Sequence, residues 1–145
     1  MRRLALLPFV LAAACGILRR DNFHEAQQLV DSVVQRYPDL VRLTIHAIPS
    51  GESECRVIAS SNPSRLGTMS DPEDLEAMAS GKLSVIDAED GFDVTIPVLP
   101  LDGRPTAVVG VTLRKPVDKE KGIERAQHIA KAIADAAQSQ PIPLW

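Results

Sequence analysis

The chain has 145 residues, 45% hydrophobic and 24% charged, with a net charge of −3. That suits one domain with a real apolar core, and it is too acidic for a protein whose partner is nucleic acid. Aromatics make up only 3%, which excludes ring-lined cages and base-stacking platforms, and three histidines with two cysteines leave little for a transition-metal site.

Residues 1–20, MRRLALLPFVLAAACGILRR, have the layout of an export signal. Arg2 and Arg3 precede an apolar run from Leu4, and the small triplet Ala12-Ala13-Ala14 leads to Cys15. The apolar stretch ends by Leu18, short of the ~20 residues that a spanning helix needs. Leu-Ala-Ala-Ala-Cys resembles a bacterial lipobox, with Ala12 in the position most often held by leucine. That resemblance implies cleavage after residue 14, acylation of Cys15 and a periplasmic, membrane-anchored lipoprotein. Ala12-x-Ala14 equally suits an ordinary signal peptidase, which would leave a soluble periplasmic or secreted protein. The expected division is a signal peptide over 1–14, a tether over 15–21, one domain over 22–140 and a tail over 141–145. Cleavage removes two arginines and no acid, so the exported chain is more negative still. With Cys15 acylated, Cys55 stands alone and forms no internal disulfide.

Asn22 can cap a helix, with Glu25 three positions on. Phe23, Ala26, Leu29/Val30, Val33/Val34 and Tyr37 recur at helical spacing before Pro38 ends the run. From Val41 to Ile48 the chain alternates, with Val41, Leu43, Ile45 and Ala47 on one face and Arg42, Thr44 and His46 on the other. Pro49-Ser50-Gly51 supplies a turn, and Cys55–Ser60 is the hairpin partner. Asp71-Pro72 starts a short helix, with Leu75 and Met78 facing inward and Gly81 as its stop. Three strands follow, Leu83–Asp87, Phe92–Leu99 and Pro105–Leu113, with turns at Gly91 and Asp102-Gly103. A final helix from about Asp118 to Gln138 buries Ile123, Ala126, Ile129/Ala130, Ile133 and Ala137. The fold class is therefore α+β: a five-stranded, mainly antiparallel sheet with the N- and C-terminal helices on one face.

Between Leu40 and Leu113 the chain resembles a Cache-type sensor domain, the extracytoplasmic relative of the PAS fold. The resemblance rests on VIASSNPSRLGTMSDPEDLEAMASGK after the first hairpin, then Ile-Pro-Val, Leu-Asp-Gly-Arg and Val-Val-Gly-Val-Thr-Leu. It implies a sensor whose short helix covers a ligand pocket. The N-terminal helix is much shorter than the family's stalk, and the tyrosine- and arginine-rich motif of amino-acid-sensing relatives is absent. No transmitter module follows Trp145 in this sequence, so a separate transmitter or membrane protein is the expected partner. The roadblock/longin fold has the same element order but a cytosolic setting, and the export signal separates the two.

The polar face of the sheet supplies the candidate site: Arg42, Thr44, His46, Asp93 and Thr95, with Arg65 and Met69 from the covering segment. Guanidinium, carboxylate and hydroxyls in one concavity suit a small carboxylate or zwitterion. The same alternation is also what the solvated side of any half-exposed antiparallel sheet shows. His24, His46 and His128 lie on separate elements without zinc spacing, and the acidic stretch Asp87–Asp93 lacks the pattern of a calcium loop. No metal and no cofactor are expected. No G-x-S-x-G and no phosphate-cradling glycine loop occur, and a Cys55–His46 nucleophilic pair has nothing in the sequence to orient it. The expectation is a binding domain and not an enzyme. The rival is an accessory lipoprotein that binds a partner subunit and no small molecule.

Overall fold

In the computed structural model, which describes residues 23–87, 91–98, 103–115, 118–140 and 144–145, the elements follow the expected order. Helix α1 spans Phe23–Arg36, strands β1 and β2 span Leu40–Ala47 and Arg56–Ser60, and helix α2 spans Pro72–Ser80. Strands β3 (Ser84–Asp87), β4 (Gly91–Val98) and β5 (Ala107–Arg114) precede helix α3 (Lys119–Gln138). The five strands make one sheet in the order β2-β1-β5-β4-β3, and every pairing is antiparallel. The segment expected to be an export signal, Cys15 and Asp102 lie outside the described residues.

The sheet has one apolar and one polar face because its strands alternate. Leu43, Ile45 and Ala47 of β1, Phe92 and Val94 of β4, and Val109, Val111 and Leu113 of β5 pack with Ala26, Val30 and Val33 of α1 and Ala126, Ile129 and Ile133 of α3. Both long helices thus cover the same face, as their apolar stripes require. β5 is central and buried on both sides, with Val108 and Thr112 on the second face.

Two sequence expectations are corrected. Val41 does not share the face of Leu43: the register shifts between Leu40 and Arg42, so Leu40 enters the core and Val41 is left 48% exposed. In α2 the inward residues are Asp74 and Ala77, while Leu75 is 47% exposed and Met78 half-buried. At the other end of the chain, Leu144 is buried and the Trp145 indole donates to Thr106 Oγ1 (3.0 Å), so the last two residues pack on the domain.

The outer edge of β2 is closed by backbone and side chain together. Val57 donates to Thr68 and accepts from Gly67 (2.9 Å each), and Ser70 N–H donates to Cys55 (3.1 Å). The Gln27 carboxamide then bonds both backbone groups of Ser60, each at 3.0 Å, as a neighbouring strand would. Gln27→Ala leaves those buried groups without that partner, so it should lower stability by about 1 kcal/mol in urea denaturation.

Candidate functional site

On the second face the side chains form rows set by the sheet register. Arg42, Thr112 and Asp93 are cross-strand neighbours, and so are Thr44, Gly110 and Thr95. In the first row the Arg42 guanidinium donates to Asp93 Oδ2 (2.9 Å) and the Thr112 hydroxyl donates to Asp93 Oδ1 (3.1 Å). This row is only partly buried, so Arg42 and Asp93 remain reachable from solvent.

The second row and the next, in which His46 faces Val108, lie beneath α2 and are closed over. His46 is 3% exposed and Asp74 5% exposed, yet they are 3.2 Å apart through Nδ1 and Oδ2. Asp74 projects from the first turn of α2, where its Oδ2 also accepts from the Asp71 N–H (3.1 Å). Its Oδ1 accepts from the Thr95 hydroxyl (3.3 Å). His46 Nδ1 also lies 3.0 Å from Ser70 Oγ, and that hydroxyl donates to Cys55 Sγ at 3.2 Å. Facing the acceptor oxygen of Asp74, Nδ1 is the ring nitrogen placed to carry the imidazole proton. Nε2 sits above Gly110, 3.9 Å from where a Cβ would stand.

Burial controls the titration of this cluster. It lowers His46 to about 4, assisted by the positive charges of Arg65 and Arg42 against the opposing pull of Asp71. It also raises Asp74 to about 6, with the bonds from Asp71 N–H and Thr95 holding that rise back and the charges of Asp71 and Glu73 adding to it. At neutral pH the pair is a neutral imidazole donating to a mostly ionised carboxylate. Cys55 is buried and its thiol is pushed up, chiefly by burial, so it is not poised as a nucleophile.

The seven residues expected to make the site fare differently. Arg42 and Asp93 meet, Thr44 lies buried in the next row, and His46 and Thr95 converge on one carboxylate. Arg65 reaches the rim, where it donates to Asp71 Oδ2 (2.8 Å), while its own Nε is buried and unpartnered. Met69 is not brought to the site: it bridges Arg56 at the β2 edge and is 54% exposed. Four contributors were missed: Ser70, Asp74, Thr112 and, as a hydrogen-bond acceptor, Cys55.

Among the described residues no group of three or more His, Cys, Asp or Glu side chains is arranged to hold a metal. No helix among them is long and apolar enough to cross a membrane.

No protein-family model matches the sequence, and no curated protein matches it. Solved structures do share the fold. The GAF domain of an Acinetobacter phosphoenolpyruvate-protein phosphotransferase is 14% identical, with a TM-score of 0.53 over 84% of this chain and 87% of that one. The inducer-binding domain of the Acinetobacter PobR transcription factor, solved as a double mutant with 3-hydroxybenzoic acid, is 12% identical, with a TM-score of 0.54 over 78% and 95%. The free methionine-R-sulfoxide reductase of Neisseria meningitidis, solved with its substrate, is 14% identical, with a TM-score of 0.55 over 79% and 77%. At such identities the likeness is one of fold alone: a five-stranded antiparallel α+β domain with the architecture that GAF domains also have.

Proposed function

We propose that this chain is a sensor-type binding domain that takes a small carboxylate or zwitterion on the polar sheet face and acts without turnover. The carrying observation is the juxtaposition, on one face, of a solvent-reachable Arg42–Asp93 pair with the buried His46, Thr95 and Asp74 cluster. A guanidinium holds a carboxylate through two parallel N–H bonds, and here one of its nitrogens already holds Asp93, whose own charge suits a ligand ammonium. The PobR neighbour, solved with an aromatic carboxylic acid, supports a carboxylate ligand on this fold. The raised thiol of Cys55, buried beneath Ser70, supports binding without chemistry.

Within the PAS-like fold we place the chain in the Cache-type, extracytoplasmic branch, tethered through an acylated Cys15 and passing occupancy to a separate transmitter or membrane protein. The leader and the motifs from Val57 to Lys82 and from Ile96 to Leu113 support this. The rival, a partner-binding accessory lipoprotein without a ligand, draws on the exposed Leu66, Met69 and Leu75.

A thermal-shift screen of amino acids and small carboxylates tests binding. Ligand at about 100 times its Kd should add about 2.7 kcal/mol of stability. A folded protein with no hit across the panel favours the accessory role. For any hit, Arg42→Ala should weaken binding about tenfold or more, while a partly exposed pair leaves stability within about 1 kcal/mol. Labelling cells with a palmitate analogue tests the anchor: the wild type should be labelled and Cys15→Ala not, and equal absence of label overturns it.

A further inference from the structure

We propose that the Asp74 carboxylate occupies a seat on the sheet that serves a ligand's carboxylate, so that helix α2, entered at Asp71 and left at Gly81, is a lid carrying its own competitor. This rests on the binding reading above and adds where the ligand's anionic group goes and what it must displace.

The seat belongs to the sheet and not to the lid. Thr95 Oγ1 (3.3 Å) and His46 Nδ1 (3.2 Å) approach the Asp74 oxygens from β4 and β1, and both stay in place if α2 lifts. Only the Asp71 N–H, the third donor, departs with the lid. At the rim, Arg65 has a buried Nε without a partner, and its charge is close enough to His46 to act on it. A buried N–H donor left unmade is costly, and an incoming carboxylate can satisfy it.

The lid is held lightly. α1 buries Ala26, Val30 and Val33, and α3 buries three isoleucine and alanine side chains in the core alongside Ala130, whereas α2 buries only Asp74 and Ala77. With so little apolar surface removed from water, polar contacts carry the docking: those of Asp74 and the ion pair of Asp71 with Arg65. Residues 67–70 stay paired to β2, so the lid begins at Asp71, and its far end is Gly81, at φ +68°. A domain that is mostly closed binds with an affinity reduced by its open fraction, so removing the internal carboxylate should strengthen binding.

The test uses the full chain with acetate as probe, against chloride at equal ionic strength and against acetamide, which lacks the charge. Asp74→Ala should melt below wild type, and acetate should raise its melting temperature by about 5 °C or more, with little response to chloride or acetamide and a much smaller one in wild type. Adding Thr95→Val should abolish that rescue. Asp74→Asn fills the seat without charge and keeps the fold if alanine does not. There, acetate should shift the amide resonances of Thr95 and His46 at concentrations at least about tenfold lower than in wild type. Equal responses in wild type and variants, or none in a folded variant, overturn the proposal. If the carboxylate panel binds wild type while acetate does nothing for either variant, the binding reading stands and the Asp74 seat falls. If neither responds, both fall.

Discussion

Asp74→Asn should make stability fall by about 2 kcal/mol between pH 7 and pH 5, and His46→Gln should make it rise by about 1 kcal/mol, once the background common to all variants is subtracted. Wild type should change by less than about 1 kcal/mol over the same interval, because its two contributions oppose each other. His46 titrates near 4 when folded and at 6.5 when unfolded, so the unfolded chain binds more protons in between. Its contribution is complete above 6.5 and is lost as the pH falls toward 4. Asp74 runs the other way. Its carboxyl titrates near 6 folded and at 3.8 unfolded, so the folded chain holds the proton more tightly, and its contribution is lost as the pH rises through 6. Burial is the largest cause for both, so each shift survives loss of the partner in direction. Chemical denaturation of the three proteins across that interval checks it. Parallel profiles would show that the pair is not buried as described.

Phe92→Ala should cost about 3–5 kcal/mol, the largest effect of any single change considered, while Leu75→Ala should stay within about 0.5 kcal/mol. Phe92 is among the largest fully buried side chains and sits in the core cluster with Val30, Ile129 and Leu113. Deleting its ring leaves a cavity between sheet and helices that rigid strands on either side cannot close. A domain of this size has about 5–15 kcal/mol in hand, so the variant should be marginal at body temperature. Leu75 is an equally apolar residue in a helix, but it points to water. Urea midpoints for the two variants separate a helix held by core packing from one held by Asp74. A loss of several kcal/mol at Leu75 would place apolar packing under α2 and remove the case for a lightly held lid.

Much of the architecture was legible because its punctuation is chemical. Asp71-Pro72 starts α2 and Gly81, at positive φ, stops it. Pro38 follows α1 closely, and Asp118 caps α3 by accepting from Lys121 N–H. The alternation of β1 assigned Arg42, Thr44 and His46 to one face correctly. It failed at Val41, because a bulge adds a residue that a period of two does not announce. Asp74 was legible only as an acidic residue near a helix start, where negative charge is favourable anyway. Its partners Thr95 and His46 lie 21 and 28 positions away, and only the sheet order and the docking of α2 bring all three together. Met69 shows the converse error. Its place in the covering segment suggested a pocket wall, but residues 67–70 run alongside β2, and that backbone pairing turns its side chain to solvent.

The most direct measurement is an amide chemical-shift titration of the isotope-labelled chain with the small carboxylates and amino acids of the screen. Binding on the polar face predicts shifts clustered at Arg42–His46, Thr68–Met78, Asp93–Thr95 and Gly110–Thr112, with α1 and α3 unmoved. No response to any of them at millimolar concentration, or shifts confined to the face covered by α1 and α3, would contradict it.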